Sequence, residues 1–158
     1  MITTRISIKA HLEEYLTGRY ANCRKNPIQF PDGDDLYHLI FDLMSKRPIN
    51  CGDDKTGLEI YLPERSVGKD PQYYNYLGYR AQRIIERKVE TLFWAELHDL
   101  IDHNKHRHGI EYTESVYTFM NRYGIESISE DALLKNYYRW RDKVRKRDKR
   151  REYRRSVC

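Results

Sequence analysis

The 158-residue sequence predicts an α+β protein that is mostly α-helical: a small N-terminal sheet with helices, a long central helix, and two C-terminal helices of which the final one is basic. Three observations carry this expectation. Short period-two alternations of apolar and polar residues occur only in the amino-terminal third, apolar residues then recur at three- and four-residue steps from Pro71 towards Asn104, and positive charge gathers in the last twenty or so residues. One compact unit is expected, built from an α/β region at 1–66, the long helix and its connection at 67–109, and a two-helix unit at 110–158.

Thr3 to Lys9 alternates as a short strand, and Ala10 to Tyr20 carries Leu12, Tyr15 and Leu16 at helical spacing. Ile28 to Phe30 reads as a second short strand before the turn residues Pro31-Asp32-Gly33. Asp34 is placed as the N-cap of a helix from about Asp35 to Lys46, with Leu36, Leu39, Ile40, Leu43 and Met44 on one side and Pro48 as its stop. A Gly/Asp-rich turn, Cys51 to Gly57, leads to a strand from Leu58 to Leu62 closed by Pro63. The central helix is expected to start near Pro71, to break at Gly78 or continue as a spine, and to give way to a polar connection from His103 to Gly109.

In the last unit Thr113 is the expected N-cap of a helix bearing Val116, Tyr117, Met120 and Tyr123, stopped at Gly124, which suits the left-handed C-terminal position. Ser127-Ile128-Ser129-Glu130 fits a capping box, and Leu133, Tyr137, Trp140 and Val144 continue on one arc that should pack on the body. Two helices joined by a glycine-containing turn, the second one basic, form a helix-turn-helix pattern. The stretch FMNRYGIESISEDALLKNYYRWRDKVRKR resembles the helix-turn-helix regions of DNA-binding regulators of phages and mobile elements, over roughly the last 45 residues. With Gly124 as the turn glycine, Phe119 and Ile125 fall on apolar template positions. Glu130 stands where the template buries an aliphatic residue, so a longer turn is expected.

Charge points the same way. From Arg139 to Arg155 eleven Lys or Arg face three acids, a balance of +8 that leaves residues 1–138 at −3 within a total of +5. A mildly acidic body with a concentrated basic end is the layout of a protein that meets a polyanion with one surface. The expected function is a non-enzymatic, sequence-dependent DNA-binding regulator of transcription or of a mobile element, cytoplasmic and nucleoid-associated, acting as a homodimer on duplex DNA. Lys135, Tyr138, Arg139 and Lys146 lie on the outer arc of the final helix, where Arg and Lys suit base edges in the major groove. Arg141, Lys143, Arg145, Arg147, Lys149, Arg150 and Arg151 complete the expected contact set, with the later ones along phosphates. An RNA-binding or assembly factor using the same arginine-rich helix is the alternative. A lesser one is a ribbon-helix-helix arrangement in which Arg5, Ser7 and Lys9 of the first strand face DNA.

Other classes lack a signature. No phosphate-cradling glycine motif and no nucleophile elbow is present, so no cofactor and no enzymatic activity is expected. His98 and Asp102 are spaced to meet on a helix face, yet no H-E-x-x-H occurs, and the cluster with His103, His106 and His108 reads as solvated histidines at a helix end rather than a metal site. The Asp34-Asp35 and Asp53-Asp54 pairs read as cap and turn residues. Cys23, Cys51 and Cys158 are widely spaced and odd in number, which predicts reduced thiols. No run approaches the roughly 18 apolar residues of a membrane span.

Overall fold

The computed structural model describes residues 1–21, 27–52 and 55–157; Cys23, Cys158 and the Asp53-Asp54 pair lie outside them. The fold is α+β and mostly α-helical, with five helices and a two-stranded antiparallel sheet among the described residues. In chain order the elements are β1 (Thr3–Ile6), α1 (Ala10–Arg19), α2 (Asp35–Leu43), β2 (Leu58–Tyr61), α3 (Tyr79–His108), α4 (Tyr112–Tyr123) and α5 (Glu130–Val157). No helix among the described residues is long and apolar enough to cross a membrane.

β1 and β2 pair with Thr3 opposite Tyr61 and Ile6 opposite Leu58, so Ile6 and Ile60 turn into the core. The expected strand at Ile28–Phe30 shrinks to one parallel bridge between Ile28 and Ile60. β1 stops at Ile6 rather than Lys9 because the next amides turn to α3: Ser7 N–H donates to Gln82 at 2.9 Å and Lys9 N–H to the buried Glu86 at 3.2 Å. Asp34 caps α2 through Leu36 N–H at 2.9 Å, as its sequence context predicts. α2 ends at Leu43, short of Lys46, because Ser45 exchanges backbone hydrogen bonds with Tyr76.

α3 is the spine. Its 30 residues span about 45 Å, and Ile85, Val89, Phe93, Leu97 and Ile101 form a buried line at four-residue steps. The helix begins at Tyr79, after an extended Gly78, instead of at Pro71. It also runs through the stretch expected to be a connection, as far as His108, where Gly109 ends it. α4 then starts at Tyr112 with Glu111, not Thr113, as its extended N-cap residue. α4 ends at Gly124, whose φ of 63° is a left-handed value that costs a side-chain-bearing residue steric strain.

α1, α3 and α4 meet in an aromatic cluster of Tyr15, Phe93, Phe119 and Tyr123, with ring centroids 5.0 to 6.2 Å apart. Above it, Glu96 of α3 accepts hydrogen bonds from Tyr15 at 2.5 Å, from Arg19 at 2.8 Å and from Tyr123. Burial first, and then the bond to this carboxylate, raise both tyrosine pKa values and keep the hydroxyls protonated as donors. Such closeness of α1 and α4 needs Gly18: a Cβ there would sit 2.7 Å from the Tyr123 Cα and carbonyl oxygen. Because that neighbour is backbone, Gly18→Ala must push the two helices apart. It should lower the unfolding free energy by roughly 1–3 kcal/mol in urea titration, and an unchanged midpoint would contradict this packing.

Candidate nucleic-acid interface

α5 is 28 residues long, about 42 Å, and its two halves have different surroundings. It begins at Glu130, where the Ser129 hydroxyl accepts from Ala132 N–H at 3.2 Å. The cap is therefore Ser129, and the expected Ser127–Glu130 box does not form. Ser127 is taken by α1 instead: one oxygen of Glu14 accepts from Glu126 N–H, Ser127 N–H and the Ser127 hydroxyl at 2.8 to 3.2 Å. Residues 124–129 join α4 to α5, and Phe119 and Ile125 on either side of Gly124 are buried.

The first half of α5 is anchored. Leu133 and Tyr137 are buried, and Trp140 and Val144 are half-buried, so the predicted inner arc packs most firmly at its start. Tyr137 donates to Asp102 of α3 at 2.5 Å. Asn136 is 2.9 Å from His98 Nε2, and the His98 ring is stacked between Trp140, at 4.5 Å, and Trp94, at 6.0 Å. His98 therefore departs from the expected solvated histidine: only 6% of it is exposed. Its apolar neighbours explain why, while His103, His106 and His108 at the helix end are exposed as expected. His98 and Asp102 face the same way, but each binds α5, and no group of His, Cys, Asp or Glu among the described residues is arranged to hold a metal ion.

Arg141 also belongs to this anchor. Its guanidinium lies 5.1 to 5.9 Å from the Tyr112, Tyr137 and Tyr138 ring centroids and donates to the Tyr112 hydroxyl at 3.3 Å. A cation among three ring faces is held by their quadrupoles, which sets Arg141 apart from the rest of the expected contact residues.

Those other residues are exposed: Lys135, Tyr138, Arg139, Lys143, Arg145, Lys146, Arg147, Lys149, Arg150 and Arg151. Lys135 pairs with Asp131 at 2.7 Å, an exposed i,i+4 pair that contributes little and opens readily to a competing anion. From Arg145 to Val157 every residue is exposed. Lys143, Lys146, Arg147, Arg150, Arg151 and Arg154 line one continuous shallow strip. Arg154 was not among the expected contacts, although its place three and four residues beyond Arg151 and Arg150 marks it as the next member of the row. The first strand offers no comparable surface, since β1 pairs with β2 and Arg5 and Lys9 lie against Glu59 and Glu90.

Compared with known proteins, the chain matches no family model, no curated protein and no solved structure.

The His98 stack makes the anchor sensitive to pH. Burial, the main cause, holds the His98 pKa below its ordinary 6.5, and burial lowers that of His11 as well. The unfolded chain takes up these protons near pH 6.5 and the folded protein only at lower pH, so stability is full above about 6.5 and falls as the pH drops below it. Trp140→Ala should open His98 to water, return its NMR titration midpoint towards 6.5 and cost up to about 3 kcal/mol, less than a fully buried tryptophan. A midpoint at or above 6.5 in the wild-type protein would contradict the buried stack.

Proposed function

We propose that the protein is a duplex-DNA-binding protein that grips DNA with the exposed half of α5. The observation that carries the reading is that this half emerges from a less basic body as a continuation of one helix. The anchor at Tyr137, Trp140 and Arg141 fixes where the helix leaves the fold, and the residues beyond it are charged, unburied and strongly biased to Lys and Arg. The outward face of the anchored half suits base edges in a major groove, and the cations beyond it release counterions from phosphates.

In this reading sequence dependence comes from the exposed face of the anchored half, where Lys135, Tyr138 and Arg139 are held at fixed positions, and affinity comes from the residues beyond Val144. Pairing of two copies on neighbouring half-sites would multiply the few base pairs one helix can read. Regulation of transcription or of a mobile element is the role that such binding suits.

Trp140 and Arg141 belong to the body, so the informative truncation falls after Val144. A protein ending there should retain cooperative unfolding while losing most affinity for duplex DNA in fluorescence anisotropy. For the full chain, about six phosphate contacts give a slope near −5 for the logarithm of the binding constant against log salt. Full affinity in the truncated protein, or a flat salt response in the full chain, would refute the reading.

A further inference from the structure

We infer that the distal half of α5 meets nucleic acid along one side only, as a cationic ruler laid on a phosphate backbone and not as a helix sunk between two phosphate ridges. The inference rests on the DNA-binding reading above and names the part of the ligand that this half touches.

The arrangement of charge around the helix carries it. At about 100° per residue, Lys143, Lys146, Arg147, Arg150, Arg151 and Arg154 fall within an arc of about 140°, and the same six line one strip of the surface. The acids Asp142, Asp148 and Glu152 all fall outside that arc, together with Arg145, Lys149 and Arg155. Between residues 142 and 155 the strip therefore carries six positive charges and no negative one, while the remaining surface carries three of each and is neutral. Segregation, and not merely excess, of charge distinguishes the two sides.

Within the strip each cation has another cation three or four residues away, an arrangement that repels and disfavours the helix in isolation. None of the six is in an ion pair with a described residue, and all are exposed. A polyanion on that side relieves the repulsion. The opposite side gains nothing from phosphate, because Asp142, Asp148 and Glu152 would face it. A helix in the major groove has phosphate ridges on both flanks, which this neutral side does not suit.

Two variants that remove the same number of charges test this. Lys146→Ala/Arg150→Ala/Arg154→Ala empties half of the strip, and Arg145→Ala/Lys149→Ala/Arg155→Ala removes the off-strip cations. All six side chains are exposed, so neither change disturbs the folded body. Binding to a random-sequence duplex is measured by fluorescence anisotropy over a series of salt concentrations. The strip variant is expected to flatten the log–log salt slope by about 2.7, three contacts at about 0.9 each, and the off-strip variant to keep the wild-type slope. Equal flattening by both overturns the one-sided contact while leaving DNA binding intact. A wild-type protein without measurable duplex affinity overturns the DNA-binding reading itself, and the one-sided contact with it.

Discussion

A carboxylate in the middle of α3, Glu96, accepts hydrogen bonds from Tyr15 and Arg19 of α1 and from Tyr123 of α4, and the carboxy-terminal half of the fold is set by that junction. It holds α1 and α4 so close that only a glycine fits at position 18. The same α1 then presents Glu14 to the turn after α4, where three donors converge on one oxygen. Charged acceptors strengthen each of these bonds, and partial burial of the surrounding rings reduces competition from water. The direction in which α5 starts is thus fixed by side chains far earlier in the sequence.

From there composition decides how much of α5 is buried. Leu133, Tyr137, Trp140 and Val144 are the apolar residues of its inner arc, and beyond Val144 the only large apolar side chains are the exposed Tyr153 and Val157. A helix half with no apolar stripe has no reason to lie on the core, and its charged groups are costly to dehydrate without partners. The His98 stack and the bonds to Tyr137 and Asn136 end where the apolar residues thin out. An exposed, basic projection follows from those two facts, and it is the feature on which the proposed function stands.

Much of this architecture is legible in the sequence because it depends on local periodicity. The four-residue line in α3, the Asp34 cap, the Gly124 stop and the inner arc of α5 all repeat within a few turns of one helix. What the sequence hides is set by contacts between distant segments. Ser127 looks like a cap until Glu14, more than a hundred residues earlier, claims its hydroxyl. His98 and Asp102 look like a solvated or metal-prone pair until Asn136, Tyr137 and Trp140 cover them. Arg141 looks like one more cation of the basic run until three tyrosine rings surround it. In the charge pattern the excess was evident, whereas its confinement to one side emerges only when the run is wound into a continuous helix.

The most direct test of the central claim is hydrogen exchange followed by mass spectrometry, with and without duplex DNA. The anchored residues Leu133 to Trp140 should exchange slowly in both states, because packing against α3 and α4 protects them. Amides from Lys143 to Arg155 should exchange fast in the free protein and slow markedly on addition of DNA, with no comparable change in β1. Protection that appears in β1, or a distal α5 whose exchange is unaffected by saturating DNA, would contradict the account.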